Sequence, residues 1–383
     1  MTNTPTLTAR FVDTLQALPA AEWNALRGNQ HPMLSHAFLA GLEQHGCLQR
    51  RYGWQPHHLL LYRDDLLVAA APAYLKSNSH GEFVFDHGWA EAYLRYGIDY
   101  YPKLLCAVPY SPVNGPRLLC GEHNDLQPAL LRALQQEVER LGLSSAHINF
   151  LPLGTAKPAS PWLSRHDYQF HWLREGATTF EEFLQRLNTK KRKNIRQERR
   201  QVHEAGISVR RLSGQSLDAQ AVSAMHSFYR DTFERKGNLP VLTEAFFQHL
   251  LAAMPDQLMI ALAYRNDQPI AGAMFLFDHG TLFGRYWGAF ESWPGLHFEL
   301  CYYQGIEFCI EHGIERFEPG AQGEHKVARG FLPTATRSWH YIADPRFRDA
   351  IARSLEEEAH WVDRYARQVE QHTPFRQSIE VRS

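Results

Sequence analysis

The chain has 383 residues, more than one hydrophobic core of ordinary size organises, so two domains are expected. Hydrophobic residues make up 44% and charged residues 21%, which fills real cores and excludes wholesale disorder. A formal net charge of -1 excludes general affinity for nucleic acid, so any polyanion must meet a local patch.

The N-terminal stretch MTNTPTLTARFVDTL lacks an apolar leader core, and no apolar run approaches the roughly 18 residues of a membrane span. Cys47, Cys106, Cys120, Cys301 and Cys309 are scattered and lack CxxC spacing, as in a reducing compartment. Both features predict a soluble, cytoplasmic protein with no stable membrane insertion. Histidines number 21, yet no HExxH or comparable ligand spacing appears, so no metal is expected.

The first predicted elements are a short helix in HPMLSHAFLAGL (His31 to Leu42) and two apolar strands turned at Asp64-Asp65. The aromatic, polar stretches from Asp86 to Gly97 and from Pro109 to Leu119 read as loops facing a cleft. They put forward Tyr110 and Asn114 as contacts to an acceptor substrate. A helix from Pro128 then ends at Gly142, as a C-cap should, and leads into the strand Ser144 to Leu151.

Next comes TTFEEFLQRLNTKKRKNIRQERRQVHEAGISVR (Thr178 to Arg210), where a Thr-x-x-Glu capping box predicts the start of one helix. Leu184, Leu187, Ile195 and Val202 share one face, and Arg192, Arg196, Arg199 and His203 share another. Within Arg186 to Arg211 only Glu198 and Glu204 are acidic, so no local counter-charge balances the stripe. It predicts an anion site with phosphate as ligand, held by Lys191, Arg192 and Arg196. The alternative is a solvated helix face.

The following third of the chain repeats the first. Pro32, Leu34, Ala37, Phe38 and Leu42 match Pro240, Leu242, Ala245, Phe246 and Leu250 at one offset. A second hairpin turns at Asn266-Asp267, a helix ends at Gly313, and a strand runs to Gly320. On the strand between them, alternation sends Arg285 and Trp287 to one face, where with Tyr286 they can line a groove. The alternative is aromatic core packing. The loop EPGAQGEHKVARGF (Glu318 to Phe331) then combines glycines with an acid, an imidazole and an amine. A charged amphipathic helix (Phe347 to Gln371) closes the chain and is assigned no chemistry.

An αβββαβ order resembles the GNAT acyltransferase fold. Two such units joined by the basic helix resemble the FemAB-like peptidoglycan biosynthesis/recognition group. The resemblance is carried by KKRKNIRQERRQVHEAGISV (Lys190 to Val209), by the helix–glycine–strand from Pro294 to Ala321, and by HKVARGF (His325 to Phe331). It implies an α+β or α/β fold of two tandem GNAT-like lobes related by internal duplication. The expected boundaries are 1–175 and 211–345 for the lobes, 176–210 for the basic connection and 346–383 for the tail. The implied activity is amide formation: transfer of an aminoacyl group from aminoacyl-tRNA to an amine of a cell-wall precursor or peptide.

One departure matters. GNAT members that use acetyl-CoA grip its pyrophosphate with a glycine-rich loop at a helix N-terminus. Here the corresponding loop, ESWPGLH (Glu291 to His297), has one glycine and a proline. An acyl-CoA-dependent N-acetyltransferase is therefore the second expectation, and a non-catalytic recognition module the third. No tightly bound cofactor is expected; aminoacyl-tRNA or acyl-CoA would be a co-substrate.

With either donor, an amine attacks a carbonyl, an oxyanion forms, and a proton must leave. Lys326 with the amides around Gly320 and Gly323 suits the oxyanion or a phosphate, and Glu324 or His325 the proton. Glu318, at a strand's end, is the fourth catalytic candidate, and Arg285 joins the donor contacts.

Overall fold

The computed structural model describes residues 7–28, 31–152, 154–320 and 323–376. Two compact units emerge, Met1–Asp167 with Ala335–Asp363, and Tyr168–Thr334 with Arg364–Ser383.

The first unit opens with β1 (Leu7–Val12), α1 (Ala20–Ala25), α2 (His36–Gln44), β2 (Trp54–Pro56), β3 (His58–Arg63) and β4 (Leu66–Ala71). It continues with β5 (Ala73–Lys76), α3 (His87–Arg95), β6 (Lys103–Cys106), α4 (Gln127–Leu141) and β7 (Ser145–Leu151). Pro72 has no N–H for a ladder, and the long apolar strand breaks there into β4 and β5. Consequently β1, β3 and β4 form a three-stranded sheet, while β2, β5, β6 and β7 follow one another in a second. The β6–β7 pair is parallel, and Arg337–Ile342 runs antiparallel along β7. Helix α4, closed by Gly142 at φ 64, buries Leu130, Leu134 and Val138 in a core with Leu59, Val68 and Ile148.

The second unit receives the chain along β8 (Leu163–Leu173), then α5 (Phe180–Arg186), α6 (Thr189–Glu204), β9 (Ser208–Ser213), α7 (Ala219–Arg235) and α8 (Glu244–Ala253). Strands β10 (Leu258–Arg265), β11 (Gln268–Phe277) and β12 (Thr281–Ala289) follow. Next come α9 (Leu296–Phe298), a π turn (Glu299–Tyr303), α10 (Gln304–His312) and β13 (Arg316–Glu318). A 3₁₀ turn (Glu324–Arg329), β14 (Leu332–Ile342) and α11 (Pro345–Glu370) complete the described elements. The sheet order is β8-β13-β12-β11-β10-β9, with β12 and β13 parallel and the rest antiparallel. Asn266 and Asp267 take φ 51 and 58, the twist-matched turn that a two-residue hairpin prefers. The core gathers Trp172, Phe183, Ile195, Leu282, Leu300 and Phe317.

Both units thus carry the expected order of helix, hairpin, strand, helix, strand, with a parallel pair at the end. The connecting segment differs from expectation, being two helices. Thr179 caps α5 by accepting from Glu182 N, and Asn188 caps α6 by accepting from Lys191 N. Between them Leu187 is extended because its backbone bridges to Phe375. That tertiary partner lies far down the chain, so helical periodicity runs through the break without registering it.

Candidate active site

The site is built where two parallel strands part. β12 and β13 pair over Thr281–Phe283 and Arg316–Glu318. At Gly284 the chains still touch, since a Cβ there would lie 3.2 Å from Pro319 Cα. Beyond it β12 continues to Ala289, while the other chain turns away through Pro319 and Gly320, the latter at φ 99. The gap is a cavity of about 110 Å³ lined by Arg285, Tyr286, Trp287, His297, Cys301 and Tyr302, among others. Carboxyl ends of diverging strands are where α/β proteins gather ligands, because no side chain fills the opening.

Local backbone irregularities decide what faces this cavity. Met274 pairs with Tyr286 and Phe275 with Gly284, leaving Arg285 as the extra residue of a β-bulge. The bulge interrupts the simple alternation expected here, and Arg285, Tyr286 and Trp287 all line the cavity, with the Arg285 guanidinium 5.1 Å from the neighbouring Tyr286 ring. The Tyr286 ring also packs edge-on to Tyr229, at 5.0 Å. Trp287 meets His297 edge-to-face at 5.2 Å. Across the cavity the π turn carries Cys301 and Tyr302, and such turns recur at functional sites because they re-aim side chains.

The loop after β13 supplies the charged groups. Lys326 is 2% exposed, and its Nζ donates to Gly320 O at 2.6 Å. Burial pushes its ammonium down to about 8, a pKa close to that of a working catalyst. His325 is exposed and shares a 2.8 Å hydrogen bond between Nε2 and the Tyr302 hydroxyl. Burial, then Lys326 and Arg329, lower its pKa, so the ring is neutral near pH 7. Gly323 sits at φ 117, a conformation costly for any side chain. Glu318 is buried with its Oε1 4.0 Å from His171 Nδ1. Glu324 opens the 3₁₀ turn, with its side chain outside the described residues.

Three groups at this site escape reading from the sequence. His297 lines the cavity, and burial first, then the neighbouring His325 ring and the cations Arg329, Lys236 and Lys326, lower it to about 4, so it is neutral. Tyr302 is held protonated by burial. Arg329 stacks 3.3 Å over the Phe298 ring and donates to Glu198 at 2.6 Å, to Tyr303 Oη at 3.1 Å and to His325 O at 2.9 Å. The one signal for Arg329 was its place three residues after Lys326 in a glycine-flanked loop. Cys301 has its thiol pushed well up by burial, which suits wall packing and not nucleophilic attack.

The basic stripe divides into two parts. Arg199 donates to both Glu299 oxygens at 3.0 Å and to Glu307 at 2.6 Å. Arg211 pairs with Glu311, Arg196 with Glu181 and Arg186 with Glu175. This half of the stripe, expected to lack counter-charges, is neutralised by acids from other elements. Lys190, Lys191, Arg192 and Lys193 make no ion pair among the described residues. They occupy the first turn of α6, where the helix dipole disfavours cations by about 0.3–1 kcal/mol each.

Tyr110 and Asn114 belong to the first unit. Tyr110, at φ 56, donates its hydroxyl to Cys47 O at 3.0 Å, and Asn114 is buried with its carbonyl 3.0 Å from His31 Nε2. The other predicted site residues lie in the second unit, where Arg285, Tyr286 and Trp287 line the cavity and Glu318, Gly320, Gly323, His325 and Lys326 lie on the end of β13 and the loop that follows it. Lys191, Arg192 and Arg196 stand on α6. Among the described residues no helix is long and apolar enough to cross a membrane.

The family model described as peptidoglycan biosynthesis/recognition, FemAB-like, matches residues 14–377. The crystal structure of FemX is similar in fold, with a TM-score of 0.51 at 12% identity over 90% of this chain and 100% of that one. L-PGS from Bacillus licheniformis gives a TM-score of 0.48 at 10% identity, covering 86% of this chain and 98% of its own. A tandem GNAT protein from the clavulanic acid biosynthesis pathway gives 0.43 at 11% identity, covering 89% and 99%. No curated protein is similar in sequence.

Proposed function

We propose, from the premise that this chain belongs to the FemAB-like family of peptidoglycan biosynthesis/recognition proteins, that it is an amide-forming acyltransferase. The donor is aminoacyl-tRNA in the cytoplasm, and the acceptor is an amine of a cell-wall precursor or peptide. One observation carries this reading: a buried lysine of lowered pKa, anchored by Gly320 O, beside a cavity between diverging strands.

The acceptor amine attacks the ester carbonyl, forming a C–N bond and a tetrahedral oxyanion. An ammonium has three N–H donors, so Lys326, with one spent on Gly320 O, keeps two for that oxygen. The C–O bond to the ribose then breaks. The nitrogen loses one proton and the ribose oxygen gains one, and we assign that relay to neutral His325, steadied by Tyr302. Trp287 and His297 offer an apolar and aromatic wall that limits competing hydrolysis.

Two observations favour tRNA over acyl-CoA. The loop before α9 carries the Glu291 carboxylate, which accepts from Trp293 Nε1 at 2.8 Å and repels a pyrophosphate. Its single glycine, Gly295 at φ 80, is pressed on α6, where a Cβ would lie 2.8 Å from Glu198 O. That glycine serves helix packing.

The test is transfer of labelled amino acid from mixed charged tRNA to amine-bearing cell-wall precursors by the purified protein, with acetyl-CoA as a parallel donor. Transfer from tRNA that Lys326→Met lowers by about 10²–10³ is the expected result. Acetyl transfer alone would replace the donor. Precursor binding without either transfer would leave a recognition module.

A further inference from the structure

A second cavity, of about 390 Å³, opens against the same 3₁₀ turn, lined by Lys191, Val327, Tyr365, Gln368, Val369 and His372. Its walls are tied together. Tyr365, Gln368 and Val369 share one face of α11 by their spacing of three and four. The chain beyond α11 is fastened to the start of α6: Asn188 N donates to Pro374 O at 2.8 Å and Arg376 N to Arg186 O at 2.9 Å. Leu187 bridges Phe375 between them. His372 folds back with Nδ1 2.9 Å from Gln368 O.

The lining has a definite chemistry. Val327 and Val369 are apolar, Tyr365 offers an aromatic face, and Gln368 offers an amide with both donor and acceptor. Lys191 contributes a cation, flanked by Lys190, Arg192 and Lys193. The arginines further along the stripe are taken up by Glu299, Glu307 and Glu311, whereas these four form no ion pair among the described residues, Glu181 acting on Arg192 only at longer range. The unbalanced charge therefore concentrates beside the cavity. An aromatic and apolar slot takes a flat base, and a glutamine amide reads the N6/N7 edge of adenine. A lysine holds phosphate as a point charge.

We infer that this cavity binds an adenosine phosphate, with the base between Tyr365 and Val369, its N6/N7 edge on Gln368, and the phosphate on Lys191. The choice of ligand rests on the acyl-transfer reading above, since a charged tRNA ends in an adenosine that carries the ester. Acyl-CoA also carries an adenosine phosphate, so the shared chemistry is common to both donors. Val327 directly follows Lys326, so the slot adjoins the lysine that meets the reacting carbonyl.

Equilibrium titration of the full chain with AMP and CMP tests this. AMP saturates one site, CMP binds at least tenfold more weakly, and Lys191→Glu weakens AMP at least tenfold. Val369→Trp, which fills the slot, removes AMP binding. Should that variant fold poorly, Gln368→Leu still reports, because it erases the preference for AMP over CMP. Absence of AMP binding, or binding indifferent to all three substitutions, overturns the assignment. Displacement of AMP by an RNA oligomer ending in CCA identifies the tRNA terminus as the source, and displacement by CoA identifies acyl-CoA. Both results uphold the site. AMP binding without any transfer from charged tRNA keeps the site and ends the aminoacyl-transfer reading. Transfer intact in a protein that ignores AMP does the reverse.

Discussion

Lys326 is costly to the fold and has no structural reason to be charged. Its pKa falls from 10.5 to about 8 because burial strips water from the ammonium, and no carboxylate is among the causes. A drop of that size corresponds to roughly 3 kcal/mol of native-state penalty wherever both states hold the proton. The sign follows from linkage. Between pH 8 and 10.5 the unfolded chain binds the proton and the native chain does not, so stability rises with pH across that window. Lys326→Met should therefore be more stable than wild type in denaturant titrations at pH 7, and that advantage should shrink toward pH 10.5. A less stable variant at pH 7 would return Lys326 to the structural residues. The same substitution should lower transfer by about 10²–10³, the usual loss when one oxyanion donor is removed. In wild type, kcat/KM should fall as pH rises past about 8, because the oxyanion needs the ammonium. The sequence displayed this lysine among glycines. Its burial was not legible, because Cys301 and the Gly320 carbonyl reach it only through the fold.

At the scale of elements, α6 does two jobs on two faces. Arg199 locks it to the π turn and α10, where Glu299 is 4% exposed. Arg199→Ala leaves that carboxylate buried without its cationic partner, with only the Gln304 amide still donating to it, and should cost about 3 kcal/mol in thermal or denaturant unfolding. Reversing Lys190, Arg192 and Lys193 to Glu should leave the fold intact or slightly stabilise it, since acids suit a helix N-terminus. Its effect should appear in polyanion binding, as a shallower slope of log affinity against log salt. Each phosphate no longer neutralised should reduce that slope by about 0.9 on a duplex or about 0.7 on a single strand. An unchanged slope removes the first turn of α6 from donor binding. The basic run itself was plain in the sequence. Which cations were available was not, because the acids that neutralise Arg199 and Arg211 lie about a hundred residues away on other elements. Similarly, the cap at Thr179 was legible from its Glu182 partner, whereas the break at Leu187 depends on Phe375.

Across the whole molecule, the repeated order of elements was legible because local signals wrote it twice: the Pro32 and Pro240 matches, hairpin turns rich in Asn and Asp, and helices closed by Gly142 and Gly313. Histidine burial was not legible, and it governs how the molecule meets acid. In the first unit burial lowers His31 and His147 to about 3, and His340 is lowered well below its ordinary range. His147 Nδ1 lies 2.7 Å from His340 Nδ1, a contact that needs a bare nitrogen on one ring and fails if both are protonated. In the second unit His171 is lowered to about 3 and His297 to about 4, again chiefly by burial. From pH 6.5 down to these values the unfolded chain takes protons that the native chain refuses. Stability is then complete above pH 6.5 and falls as pH falls, by about 1.4 kcal/mol per histidine per unit well below 6.5. Most native carboxylates are still ionised at pH 5, so the loss there belongs largely to the imidazoles. Thermal unfolding should thus shift downward between pH 7 and pH 5, with the first unit, which holds the facing pair, failing first by site-specific fluorescence or hydrogen exchange. A transition temperature that stays level to pH 5 would mean that these rings accept protons in the native state, and the buried His147–His340 contact would have to open to allow it.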